Sequence, residues 1–227
     1  IFHPFSFHTD WNLLKKILYI GIPNGLENSM FQLGKILVLS LVTSFGTASI
    51  AANAVSNNIA MFAVLPGMSI GFAMLTVSAQ CVGAGDFEQV KYYTKKLMKL
   101  TYLCLILMNI LVVLLLPFII KVYGLSAEAS EYARRILIYH SCCVVTIWPL
   151  SFSLANTLRA AADVKYTMIL AIVSMWTFRI GFSYILGSYL KWGVFGIWVA
   201  MTIDWLFRSI CFTIRYLGGK WKHASLV

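Results

Sequence analysis

Apolar runs of 20 residues or more, broken by short turns bearing glycine or aspartate, make up almost the whole chain. None shows the strict alternation of a half-buried strand, so the pattern predicts helices. Six segments are long enough to cross a bilayer, roughly 13–45, 48–82, 98–122, 132–158, 164–189 and 193–217. The predicted breaks are Ser44-Phe45-Gly46-Thr47, Gly83-Ala84-Gly85-Asp86, Tyr123-Gly124-Leu125-Ser126, Ala161-Ala162-Asp163 and Tyr189-Leu190-Lys191-Trp192-Gly193. Pro23, Pro66, Pro117 and Pro149 fall within segments, where a missing N–H predicts kinks.

The first segment departs from pure apolarity. Its stretch GIPNGLENSMFQLGKILVLSLV, residues 21–42, carries Asn24, Glu27, Asn28, Gln32 and Lys35. At 100° per residue these five fall within an arc of roughly 140°. One reading makes them interhelical glue, each hydrogen bond worth about 0.6 kcal/mol. The other makes them the lining of a substrate or ion cavity, because a charge at mid-bilayer costs about 2.5–3.5 kcal/mol and needs a reason. Glu27 and Lys35 stand about 12 Å apart along the axis, too far for a direct pair. In the second segment Asn53 and Asn57, with Ser56 and Asn58 beside them, predict a second lining face or a packing seam. Met61, Met68 and Met74 follow, read as core or lipid-facing rather than as a binding surface. In the last segment Asp204 and Arg208 have the i, i+4 order of an intrahelical ion pair, and Arg179 could join them as a structural lock. Trp11, Trp192 and Trp221 lie near segment ends and predict interfacial anchors.

Composition turns segments into membrane spans. Hydrophobic residues make up 60% of the 227 and charged ones 11%, with a mean hydropathy of +0.81. A soluble domain of this size cannot cover that much apolar surface. No charged n-region or cleavage site precedes the first span, so no signal peptide is predicted, and the start at Ile1 is read as that of a piece of a longer protein. The net charge of +10 sorts by membrane side. One side takes Lys15, Lys16, Lys91, Lys95, Lys96, Lys99, Arg159, Lys165, Arg215, Lys220 and Lys222; the other takes Lys121, Arg134, Arg135 and Lys191. This bias predicts that both termini, the 83–97 loop and the 159–165 loop are cytoplasmic. Basic excess is therefore a topology signal, and nucleic acid is not an expected partner. The five cysteines lie in or beside apolar segments without metal-ligand spacing, which predicts free thiols and no metal. His140 neighbours Cys142 and Cys143 without an acid in its segment, so no catalytic constellation, and no enzyme, is expected.

The turn QCVGAGD at 80–86, followed by the basic FEQVKYYTKK, shares its organisation with LRAAADVKYTM at 158–168. Together with GIPNGLEN, AANAVSNNIA at 51–60 and GVFGIWVAMTIDW at 193–205, these segments resemble the multidrug and toxic compound extrusion (MATE) family over residues 12 to 222. The resemblance implies the C-terminal six-helix lobe of a twelve-helix transporter, all-α and polytopic, whose missing N-terminal lobe is its partner. It implies export of drug-like organic compounds, cationic or amphipathic, from a bacterial inner membrane by alternating access. It implies H+ or Na+ as coupling ion and no cofactor. Two departures stand out. Ala160-Ala161-Ala162-Asp163 replaces a glycine-rich turn, which predicts a stiffer one. Where branches of the family carry an acid about two turns after the first-span proline, this chain has Phe31, and the fourth span has no acid. Coupling would then depend on an acid of the other lobe. Two competing readings remain: a flippase for lipid-linked precursors, which would favour a cationic cavity, and a membrane assembly partner that does not transport.

Overall fold

The computed structural model describes residues 11–223. These form seven α-helices: α1 (Trp11–Thr43), α2 (Thr47–Gly83), α3 (Phe87–Tyr123), α4 (Ala127–Thr146), α5 (Leu154–Ala160), α6 (Val164–Ser174) and α7 (Gly193–Leu217). A π-helical segment, Pro149–Ser153, joins α4 to α5, and two more, Met175–Gly181 and Ser183–Tyr189, carry α6 onward. A single 3-10 turn, Lys220–His223, follows α7. No strand occurs among the described residues. The chain termini themselves, whose side of the membrane the charge bias predicts, lie outside the described residues.

All five predicted breaks interrupt the helices where glycine or aspartate stands. The turns after α2 and α5 are twins. Each closes with three backbone bonds, Ala84 to Gln80, Gly85 to Val82 and Asp86 to Cys81 in the first, Ala161 to Thr157, Ala162 to Arg159 and Asp163 to Leu158 in the second. The residue that must adopt a left-handed conformation is Gly85 (φ 73°) in one and Ala162 (φ 63°) in the other. Ala162 carries a Cβ into a region that costs an L-residue roughly 1–2 kcal/mol, and its methyl is buried. The stiffer turn expected from the alanines is thus a glycine geometry held by a residue with a side chain.

Two expectations need correcting. The predicted 83–97 loop is only three residues long, because helix resumes at Phe87 with Asp86 accepting the Gln89 amide at 3.0 Å. FEQVKYYTKK is therefore the first turns of a 37-residue α3. Trp221 is also no interfacial anchor: it is 1% exposed, edge-on to Phe87 and stacked on Tyr216. Trp11 and Trp192 are exposed, as anchors are.

Pro23, Pro66 and Pro117 sit inside continuous helices, while Pro149 marks a real break, with α4 and the Pro149–Ala160 stretch at 56°. Four stretches are long and apolar enough to cross a membrane, α2, α3, Val164–Tyr189 and α7, and a fifth if the bent pair counts as one span. The predicted sixth, α1, has the length but not the apolarity, because its polar stripe interrupts it.

α2 runs along α3 and α4, α7 packs on the π-helical segments, and α1 lies mainly across α6. The core between them includes Leu105, Ile136, Val144, Trp148, Trp198 and Trp205. Close approach is made by small residues: a Cβ on Gly196 of α7 would stand 2.8 Å from the Leu186 carbonyl carbon and oxygen. That is how membrane helices come into backbone contact. Long-range pairs gather the basic residues at one end: Lys165 over Tyr19, Arg159 with Glu27, and Arg215 with Asp163 at 2.7 and 3.0 Å. At the opposite end Arg135 and Lys191 share one pocket wall.

Candidate functional site: a basic cleft between α1, α2 and α7

A cleft of about 230 Å³ opens between α1, α2, the Met175–Gly181 segment and α7. Helical spacing supplies each wall: Lys35, Val38 and Leu39 from α1, Asn53 and Asn57 from α2, Ile197, Trp198 and Met201 from α7. Arg179 enters from the π-helical segment, a local widening of the helix often found at functional sites. Asn53 is nearly buried and accepts from the Trp198 indole N–H at 3.1 Å, while the Asn57 amide donates to the Asn53 carbonyl at 2.8 Å. The amides thereby fix the wall.

The cleft is basic. Lys35 and Arg179 line it, and no carboxylate does so among the described residues. The Phe31 ring, at the place where branches of the resembling family carry an acid, has three cations around it. Arg179 lies 5.0 Å, Lys35 5.2 Å and Arg208 5.8 Å from its centroid. Aromatic faces attract cations by their quadrupole but cancel no charge.

Of the seven predicted cavity residues, the structure brings three into this cleft, Lys35, Asn53 and Asn57. Glu27 instead meets Arg159 of α5 at 2.6 Å, and Arg159 also donates to Asn156 at 3.1 Å. Asn28 is exposed and bonds its own helix, at the Asn24 carbonyl, 3.0 Å away. Asn24 and Gln32 lie outside the cleft. The physical reason is the crossing of α1 over α6. Tyr19 lies under Lys165 of α6 and Glu27 meets Arg159 of α5, whereas Phe31 and Lys35 lie beside Arg179 and the cleft walls of α2 and α7. One stripe on a straight helix thus serves two neighbourhoods.

Asp204 and Arg208 form an ion pair at 3.4 Å, both buried. Arg179 does not bond Asp204 as expected; its guanidinium lies over Phe31. Asp204 is tied to the preceding span by Ser174, whose hydroxyl donates to the Asp204 carboxylate. Nothing local in the sequence signals Ser174, Arg159 or the Asp163–Arg215 pair, since their partners lie 30 to 132 positions away. His140 is buried edge-on to Trp198 and Trp205, and its Nδ1 has no hydrogen-bond partner among the described residues. No group of three metal-ligating side chains occurs among them either.

The MatE family model matches residues 23–185. The probable multidrug resistance protein YoeA of Bacillus subtilis is 28% identical over 222 residues, covering 96% of this chain and 46% of its own length. The probable multidrug resistance protein NorM of Thermotoga maritima is 22% identical, covering 96% and 47%. A solved outward-facing multidrug resistance MATE family transporter of the MOP superfamily superposes with a TM-score of 0.84 at 19% identity, covering 97% of this chain and 49% of its own. A MOP superfamily transporter from Pyrococcus furiosus, described by the reverse polarity of its binding pocket, gives 0.84 at 18%, again over 97% and 49%. The chain spans about half the length of the relatives it matches. Its fold is that of one half of such a transporter, and it belongs to the MatE family of membrane transporters, which are not enzymes.

Proposed function

We infer that this chain is the C-terminal half of a secondary active exporter that moves drug-like amphipathic compounds across the membrane by alternating access. H+ or Na+ entry drives the cycle, and the basic end of the lobe, with both termini, faces the cytoplasm. The observation that carries the reading is the cleft: a concave wall of fixed amides, one indole and two cations inside a helical bundle with several spans long and apolar enough to cross a membrane. Sites of this kind generally sit at the interface between the two repeats of a transporter. A scaffold needs no such wall.

The polarity of the cleft refines the substrate class. Lys35 and Arg179 repel an organic cation, so cationic drugs require an acid from the other lobe, whereas a compound with an acidic group finds its counter-charges here. The same observation favours a second reading, a flippase for lipid-linked precursors, whose phosphates would meet the same two cations. The test uses the complete two-lobed transporter in cells lacking other exporters. Export of a carboxylated amphipathic dye should exceed that of a cationic dye, and Lys35→Gln should lower the first more than the second. Absence of export for both dyes, with lipid-linked precursor appearing at the outer leaflet, would favour the flippase. Export of the carboxylated dye insensitive to Lys35→Gln would overturn the polarity argument.

A further inference from the structure

A second concavity, about 510 Å³, lies at the basic end between α3, α5 and the C-terminal part of α7. Its rim and its floor differ in chemistry. Lys91, Lys95 and Lys99 stand at i, i+4 and i+8 on one face of α3, spanning about 12 Å along the axis. Below them the floor is apolar, built from Met98, Leu150, Leu154 and Leu217 among others. Lys91 is engaged by Glu88 at 2.7 Å, which leaves Lys95 and Lys99 without an acidic partner among the described residues. Lys222 adds positive charge nearby, and the neighbouring Lys91 ammonium pushes it below the ordinary lysine value. The Thr213 hydroxyl in the groove wall has no hydrogen-bond partner among the described residues.

We propose that this groove binds one anionic phospholipid, its phosphate on Lys95 and Lys99 and an acyl chain along the apolar floor. Neither half of the geometry explains the other alone. A solvated basic face needs no apolar trough beneath it, and a lipid-filled seam of neutral lipid needs no lysines. α3 is 37 residues long, well beyond the roughly 20 a bilayer core requires, so its first turns stand at headgroup level. Basic pockets between helices at that level recognise anionic headgroups. The site is independent of the cleft and of whether the lobe exports.

The test is native mass spectrometry of the whole chain, stripped of lipid in neutral detergent and titrated with phosphatidylglycerol or phosphatidylcholine. Phosphatidylglycerol should be retained at concentrations at least tenfold lower. Lys95→Gln with Lys99→Gln should weaken it roughly 25-fold, while Lys95→Arg with Lys99→Arg keeps it. Lys15→Gln with Lys16→Gln removes as much charge from the same end and should leave retention unchanged. Both pairs are exposed, so elution as a single folded species is expected for each variant. Equal retention of the two lipids, equal loss in both glutamine variants, or full competition by glycerol phosphate would overturn the proposal.

Discussion

Asp204→Asn is the most informative single change in this lobe. Asp204 is fully buried and Arg208 is 3% exposed, so the pair stands away from water. The carboxylate takes the Ser174 hydroxyl on one oxygen and the Arg208 guanidinium, at 3.4 Å, on the other. Asparagine keeps the shape and an oxygen for Ser174 but removes the anion. Arg208 then remains buried, with a Nε that already lacks a partner and only the Phe152 and Phe31 rings, at 4.6 and 5.8 Å, to stabilise it. Breaking a buried pair from one side costs about 3–5 kcal/mol. Both rings already face Arg208 in the intact pair and so offset none of the loss, which is expected to be at least about 3 kcal/mol. For a chain of this size that lowers Tm by roughly 6–12 °C.

The assay is thermal unfolding in detergent, followed by tryptophan fluorescence and checked by size exclusion. Arg208→Gln should be the milder single change, since the carboxylate left behind keeps its Ser174 donor. The double variant should recover at least half of the Asp204→Asn loss, because no uncompensated charge stays inside. A Tm within about 2 °C of wild type for Asp204→Asn, or a double variant no better than that single one, would refute the reasoning.

Three further outcomes are expected. Glu27→Gln and Arg159→Gln each remove the same α1–α5 link, so their destabilisations should be strongly non-additive in a double-mutant cycle; simple additivity would show that the 2.6 Å pair contributes nothing. Gly196→Ala forces a Cβ to within 2.8 Å of the Leu186 backbone and should cost about 1–3 kcal/mol, whereas Gly21→Ala, with open space around it, should cost nothing measurable by the same melting assay. In a cysteine-free background, single cysteines at the exposed positions of Thr47 and Gln89 should be labelled by an impermeant thiol reagent from outside and inside respectively; the reverse pattern would invert the lobe in the membrane.

What was legible in the sequence divides by range. The helix breaks were, because Gly46, Gly85, Gly124 and Gly193 each adopt positive φ at a turn and announce themselves locally. Ala162 was legible only through the twin turn before it. The Asp204–Arg208 pair was, since i, i+4 spacing places it without tertiary knowledge. Glu27–Arg159, Ser174–Asp204 and Asp163–Arg215 were not, because each depends on how two helices cross. The same limit misplaced Trp221. Position near a helix end reads as an interface, yet the chain folds the last turn back onto Phe87 and Tyr216. Four of the five residues in the polar stripe on α1 lie outside the cleft, because α1 changes neighbours along its length.

That change of neighbours accounts for an acid, a base and three amides on one membrane helix. Glu27 meets Arg159 of α5, which neutralises it, so the acid serves the lobe's own packing. Lys35 lies two turns further on, where α1 meets α2 and α7, and Arg179 joins it with no carboxylate in the cleft wall among the described residues. Phe31 sits between the two regions and carries π-density where three cations converge. The free charge presented by this lobe is therefore basic. A transporter that must bind and release H+ or Na+ needs an acid or oxygen cage at its centre, and within this chain the central acids, Glu27 and Asp204, are both already engaged. On the function proposed above, this half would supply the cations, amides and indole of the cleft, and the coupling acid would belong to the half that faces it.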